Sequence, residues 1–258
     1  MKHFLLSIFF ILCAGTVGGF AQDKDSLYLR ASEAYGKADY DTAIASFEKI
    51  IEISEEPTSE MYYNLAGAFF KSGNIGKAVL NYERAYRLNP ADSDTKFNLK
   101  LLSTRIEDKI APSPSVVVGT YIDSVTHWFT LRTWVVLSIL FFAVFAGLVL
   151  LYFLGDRRGH RLGGFYGAIF SLFFSVFCLV FAFKSNAFIL DTSEAVLTAP
   201  VSTLKSSPDS SAKDVAVLHS GLKVRATQRV ADFYEITLAD GVVGWISVDA
   251  LEFVNPGF

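Results

Sequence analysis

Histidine and cysteine are the side chains here best suited to metal binding or nucleophilic chemistry, and this chain has four of the first and two of the second. Their spacing supports neither chemistry. His3, His127, His160 and His219 fall in four separate regions. No His-x-x-x-His or Cys-x-x-Cys pair places two ligands on one helical face or one turn. Cys13 lies in a short apolar run near the start and Cys178 in a long one, so the mature chain is expected to form no internal disulfide. No glycine-rich phosphate loop occurs, since Gly163-Gly164 is embedded in an apolar stretch. Nor does any nucleophile pair with a base in a recognisable motif. A net charge of −3 without a basic stripe argues against nucleic acid as a partner. The sequence thus predicts no enzyme, no metal and no cofactor. What remains is chemistry of recognition, and the elements that would position it are unusually legible.

Tyr40-Asp41-Thr42-Ala43-Ile44-Ala45-Ser46-Phe47-Glu48 returns 35 residues later as Ile75-Gly76-Lys77-Ala78-Val79-Leu80-Asn81-Tyr82-Glu83. Tyr63-Asn64-Leu65 recurs as Phe97-Asn98-Leu99, 34 residues on. A period of about 34 marks a helix-turn-helix unit that must stack on its neighbours to bury its apolar face. Small Ala66, Ala78 and Ala85 let two helices approach, Phe69 and Tyr82 fill the space between them, and Pro90 stops the second. In that register Tyr62, Leu65, Ala66, Phe69, Ala78, Tyr82, Ala85 and Pro90 resemble the tetratricopeptide repeat. In the first copy Ala31, Ala43 and Phe47 fit, Arg30 and Ala34 depart from the pattern, and Pro57 is two residues late. A third copy contributes one helix, roughly Asp94–Ile110. The reading is two hairpins and a capping helix over residues 24–111.

The resemblance implies a groove lined by the first helix of each repeat: Tyr28, Ser32 and Tyr35, then Tyr63, Asn64, Gly67, Phe70 and Lys71, then Phe97 and Leu101. A carboxylate clamp of the kind some family members carry is not expected, because only Asn64 of its pattern is present. The alternative is that these aromatics pack internally.

Met1-Lys2-His3, an apolar run from Phe4 to Ala14 and small residues before Ala21 read as a secretory signal over 1–21. Lipidation at Cys13 is disfavoured by Leu12 before it; an uncleaved anchor is the other alternative. Trp134–Leu154 and Leu162–Phe183 are 21 and 22 residues without a charge, each enough for a hydrocarbon core of about 30 Å. Arg157, Arg158 and Arg161 in the loop 155–161 place that loop in the cytoplasm, with both flanking domains outside. Gly163, Gly167, Ser171 and Ser175 recur at spacing four, a stripe on which Ala143 and Gly147 of the first span, or another membrane protein, could pack. Within the linker 112–133, Val118, Ile122, Val125, Trp128 and Phe129 recur as in an interfacial helix over 116–131.

Residues 193–255 alternate short β-branched runs with turn signals, including Asp240-Gly241. Gly221, Val224, Tyr234, Asp240-Gly241 and Gly244-Trp245 resemble the bacterial SH3-like domain, whose members bind cell-wall peptides or protein segments. Tyr234 and Trp245 are then the candidate ligand face; the other reading makes Trp245 a plug of the barrel core.

The fold class expected is multi-domain: all-α tetratricopeptide hairpins, a two-helix transmembrane hairpin and a small all-β SH3-like barrel. That order is similar to the BatE-like proteins of the Bat (Bacteroides aerotolerance) group. The resemblance implies an inner-membrane protein, both soluble domains periplasmic, working with membrane proteins that carry von Willebrand factor A domains and linked to oxygen tolerance or envelope stress. Two functions stay open: a membrane-anchored scaffold of an envelope complex, and an envelope sensor or anchor that binds peptidoglycan peptides.

Overall fold

The computed structural model describes residues 24–111 and 124–255. The expected signal segment and residues 112–123 of the linker lie outside the described residues.

Five helices open the fold: α1 over residues 24–36, α2 Tyr40–Glu52, α3 Ser59–Lys71, α4 Ile75–Leu88 and α5 Ser93–Ser103. Each of α2–α5 starts on a side-chain oxygen that accepts an orphan backbone N–H: Asp39 from Thr42, Thr58 from Met61, Asn74 from Lys77 and Asp92 from Thr95. The two hairpin turns need a left-handed residue at the same step, Gly73 (φ 87°) in the second copy and Ala38 (φ 59°) in the first. Ala31, Ala43, Ala66, Ala78 and Ala85 are fully covered, and Phe47, Phe69 and Tyr82 fill the gaps those small residues leave. The capping helix ends at Ser103 rather than Ile110. The residues beyond it are used elsewhere: Lys109 Nζ donates to the Ser103 carbonyl at 2.6 Å, while Glu107 and Asp108 turn toward His219.

Two long helices follow, Leu131–Leu154 and Arg158–Leu190, and both are long and apolar enough to cross a membrane. Of the expected interfacial helix only residues 124–126 are helical among those described; Thr130 then caps the first long helix. The loop between the long helices is shorter than expected, because Arg158 already begins the second one. They pack on each other through hydroxyls that bond the opposite backbone. Ser175 Oγ donates to the Ser138 carbonyl (3.0 Å), Ser138 Oγ to that of Ser175 (3.1 Å) and Ser171 Oγ to that of Phe141 (2.6 Å). Gly164 lets the Leu148 and Tyr152 backbones approach. Gly163, Ala143 and Gly147 do not join this contact: Ala143 is exposed, and added Cβ atoms at the two glycines would meet nothing within 4 Å. A spacing of four drifts by about 40° per step on a 3.6-residue helix, so a row centred on Ser171 and Ser175 has left the interface by Gly163.

The C-terminal part is an antiparallel sheet of seven strands: β1 Glu194–Leu197, β2 Val201–Lys205, β3 Asp214–His219, β4 Lys223–Val230, β5 Phe233–Thr237, β6 Val243–Ser247 and β7 Leu251–Phe253. Their order is β3-β2-β6-β5-β4-β1-β7. The sheet is open, not the closed barrel expected, since its two end strands, β3 and β7, do not pair with each other. Helix α4 lies against the β1–β7 end instead, and Val196 and Val254 belong to the same apolar cluster as the repeat core. Asp240-Gly241 forms the expected tight turn, with Gly241 at φ 93° and the Asp240 carboxylate accepting the Val242 N–H.

Candidate functional site

The concave side of the repeats holds a cavity of about 420 Å³. Tyr28, Ser32, Tyr35, Tyr63, Asn64, Gly67, Phe70 and Lys71, eight of the ten expected groove residues, line it together with Asn98. Helical periodicity brings them there: Tyr28 and Tyr35 of α1, and Tyr63, Gly67 and Phe70 of α3, stand three, four or seven residues apart on one face. Phe97 does not line the cavity; it stands 67% exposed on α5.

The groove's polar tips bond within the repeats. Asn64 Nδ2 donates to Tyr28 Oη and Asn98 Nδ2 to Tyr63 Oη, both at 3.0 Å, and Tyr28 Oη donates to Glu60 at 3.3 Å. Asn64 and Asn98 are therefore engaged with tyrosines. Tyr63 packs edge-on against Tyr82 with ring centroids 5.4 Å apart. Burial pushes the hydroxyls of Tyr35 and Tyr82 above the ordinary tyrosine range, so the floor is uncharged. Both hydroxyls stand 3.7 Å from where a Cβ on Gly67 would be, and the missing side chain keeps the groove open. The result is an aromatic trough with hydroxyl and amide edges and Lys71 at its rim. It matches an extended peptide with apolar side chains better than an acidic tail.

The opposite side of the same hairpin is closed, by contacts that sequence reasoning missed. Arg87 of α4, 4% exposed, ion-pairs with Glu194 of β1 and donates to the carbonyls of Phe188 (3.1 Å) and Asp191 at the end of the second long helix. Its guanidinium also lies 5.0 Å from the Phe188 ring centroid. Arg84 donates to the carbonyls of Phe253 (3.0 Å) and Val254 (3.3 Å). Lys223 Nζ bridges Glu83 and Glu194, 3.0 Å from each. Burial disfavours its charge, but the two carboxylates outweigh that and hold the ammonium above the usual lysine range. Gly76 brings the α4 backbone within reach of the Leu197 carbonyl. Asp108, past α5, accepts the His219 N–H at 2.6 Å and meets its Nδ1 at 3.0 Å. Repeats, sheet and long helix are thereby locked into one unit. A signal was present in α4, where Val79, Leu80, Tyr82 and Tyr86 run round the helix, a pattern that calls for cover on more than one side.

Tyr234 and Trp245 do not form one ligand face. The register pairs Tyr234 with buried Ile246, and its ring packs edge-on against Phe253 at 5.1 Å. Trp245 pairs with Glu235 and Lys205 and points to the other side of the sheet, half-buried. Among the described residues no group of histidines, cysteines and carboxylates could hold a metal.

The tetratricopeptide repeat family model matches residues 25–57 and 59–92. No curated protein matches the chain. These repeats are non-catalytic protein-interaction modules, and the matched segments run over α1 to α4, where all the groove's expected residues except Phe97 and Leu101 stand.

Proposed function

We propose that the protein is a membrane-anchored adaptor whose two tetratricopeptide repeats hold an extended segment of a partner in their aromatic groove. The observation that carries this is the asymmetry of the repeat hairpin: one face is open and lined by aromatics, the other is locked to the rest of the molecule. The domain order is a signal peptide (1–21), repeats (24–111), linker and interfacial helix (112–133), a first span (134–154), a cytoplasmic loop (155–161), a second span (162–183) and an SH3-like module (193–255). The membrane reading is supported by phenylalanines and leucines exposed all round both long helices, an apolar surface far larger than a water-soluble protein presents. Arg157, Arg158 and Arg161 support a cytoplasmic loop. They cluster at a helix N-terminus, where the macrodipole disfavours cations, so helix stability is not what keeps them there. Both soluble modules then stand on the periplasmic side of the inner membrane.

This is the arrangement of the BatE-like proteins, and it points to partners with von Willebrand factor A domains and a role in aerotolerance or envelope stress. The test is Gly67→Leu, which fills the groove from an open position and replaces a poor helix former with a good one. The variant is expected to fold as the wild type does while losing crosslinked partners in pull-downs from native membranes. Undiminished recovery of those partners rejects the groove.

A second reading, peptidoglycan binding by the sheet, draws on half-buried Trp245 beside exposed Val243 on the outer face. Cosedimentation of the whole protein with purified cell wall, lost in Trp245→Ala, supports it; sedimentation unchanged by that substitution counts against it.

A further inference from the structure

Where the second long helix leaves its apolar run there is an open cavity of about 990 Å³, at the upper end of the size range of small-ligand sites. Lys96 comes from α5, His127 and Trp128 from the turn before the first long helix, Lys184 and Phe188 from the second, and Arg225 from β4. The apolar run Leu162–Phe183 rises about 33 Å at 1.5 Å per residue, close to a hydrocarbon thickness of about 30 Å. Lys184 is the first charge after it and so stands at headgroup depth on the side of the soluble modules. Trp128, 64% exposed, flanks the same opening, a position suited to an indole at a membrane interface.

The cavity's charges do not balance. Glu194 is occupied by Arg87 and Lys223, and Lys223 is shared with Glu83. That leaves Lys96, Lys184 and Arg225 facing a single carboxylate, Asp191. Arg225 stands 3.9 Å from it. Lys96 Nζ donates to the His127 carbonyl at 3.4 Å and feels Asp92 only as a charge one helical turn back, and Lys184 has no partner among the described residues. Three cations over one anion, beside the aromatic wall of Phe188 and Trp128, form a site for a monoanionic phosphate joined to an apolar body.

We propose that this cleft binds the headgroup phosphate of an anionic phospholipid from the outer leaflet, with Lys96, Lys184 and Arg225 around the phosphate and Phe188 against the glycerol and upper acyl chains. The proposal rests on the membrane-spanning reading. A lipid held there would touch the repeats, the sheet, the second long helix and the turn before the first at once.

The test reconstitutes the full chain in nanodiscs of phosphatidylcholine and phosphatidylglycerol in equal parts. Native mass spectrometry then counts the lipids retained on release. Wild type is expected to keep phosphatidylglycerol over phosphatidylcholine. Lys96→Gln, Lys184→Gln and Arg225→Gln together should cut that preference at least about tenfold, since each basic side chain at an anionic surface contributes roughly fivefold. The Lys213→Gln control, a charge lost elsewhere on the sheet, should leave it unchanged. Because the triple variant could fail by unfolding, the single Lys184→Gln and Lys184→Arg are compared too, with loss expected only in the first. Incorporation into discs without phosphatidylglycerol preference overturns the site and leaves the spanning reading intact. Failure to enter discs at all overturns both. Titration of inorganic phosphate into the protein in pure phosphatidylcholine discs forms the last arm. Saturable binding that depends on the same three residues, without lipid preference, assigns the cleft to a soluble anion and overturns the lipid.

Discussion

On the α3 side of the second repeat hairpin, Tyr63 and Asn64 bond, among the described residues, to residues of the repeats, and Gly67 leaves a gap above them. On the α4 side, Glu83, Arg84 and Arg87 each bond a group outside the repeats, and Gly76 is pressed against the sheet. The difference lies in where the polar groups find their partners. A face whose hydrogen bonds close on themselves can stay open to water and accept a guest. A face that carries buried charges must be covered, because an unpaired charge out of water is strongly unfavourable. On the proposed reading, the hairpin has one side for a partner and one for its own chain. A partner in the groove would then pull on a body joined to the second long helix through Arg87.

The largest blow to that division is Arg87→Ala. The substitution removes both the ion pair with Glu194 and two hydrogen bonds to backbone carbonyls at the helix end. Breaking a buried pair costs about 3–5 kcal/mol, and Glu194 keeps Lys223, so a loss of about 3 kcal/mol is expected. Chemical denaturation of the detergent-solubilised protein measures it. A loss below about 1 kcal/mol would mean the back face is only loosely covered.

The two glycines make a sharper pair. Glycine to alanine gains up to about 1 kcal/mol in a helix interior. At position 67 the new methyl meets only tyrosine hydroxyls at ordinary van der Waals distance, so Gly67→Ala should stabilise by about 0.5–1 kcal/mol. At position 76 the same methyl would stand 2.9 Å from the Leu197 carbonyl oxygen and 3.1 Å from Thr198 Cα. Backbone cannot swing aside as a side chain can, so Gly76→Ala should destabilise by about 1–2 kcal/mol despite the better propensity. Thermal melts of the two variants, run side by side, should move in opposite directions; movement in the same direction would erase the contrast between the faces.

How much of this the sequence disclosed follows from the range of the interactions. The helical hairpins are written in local periodicity, where Ala66, Phe69, Ala78 and Tyr82 lie within one repeat, and most of the groove follows from it. The long helices announce themselves through their lack of charge. The mating of those helices was only half legible, because a spacing of four is not a helical period and Gly163 drifts off the seam. Of the back-face lock, only the need for cover on α4 was legible, and not what supplies it. Its contacts join Arg87 to Glu194, Glu83 to Lys223 and Arg84 to Phe253, residues separated by 107, 140 and 169 positions. In sequence those arginines and glutamates look like the solvated charges of any surface helix. The open sheet was missed for the same reason: α4 covers its β1–β7 end, and nothing near β7 in sequence says so.

The smallest effect tests the outermost part of the lock, where Asp108 and Glu107 meet His219. The bond to Asp108 raises the imidazole's pKa above its usual value, burial opposes this, and the charges of Glu107 and Asp108 raise it further. A group whose pKa is higher in the folded state contributes fully below its unfolded value, about 6.5 for histidine, and loses that contribution as pH rises through the folded value. The latch should therefore hold best in mild acid and loosen toward alkaline pH. Hydrogen exchange over residues 104–111, corrected for intrinsic rates, should show protection falling as pH rises above about 6.5. In His219→Gln that dependence should vanish. The change is expected to be partial, because Asp108 also accepts the His219 backbone N–H at 2.6 Å, a bond that does not depend on the imidazole proton. Complete loss of protection at alkaline pH would mean that the imidazole alone carries the latch, and pH-independent protection in the wild type would mean that it carries none of it.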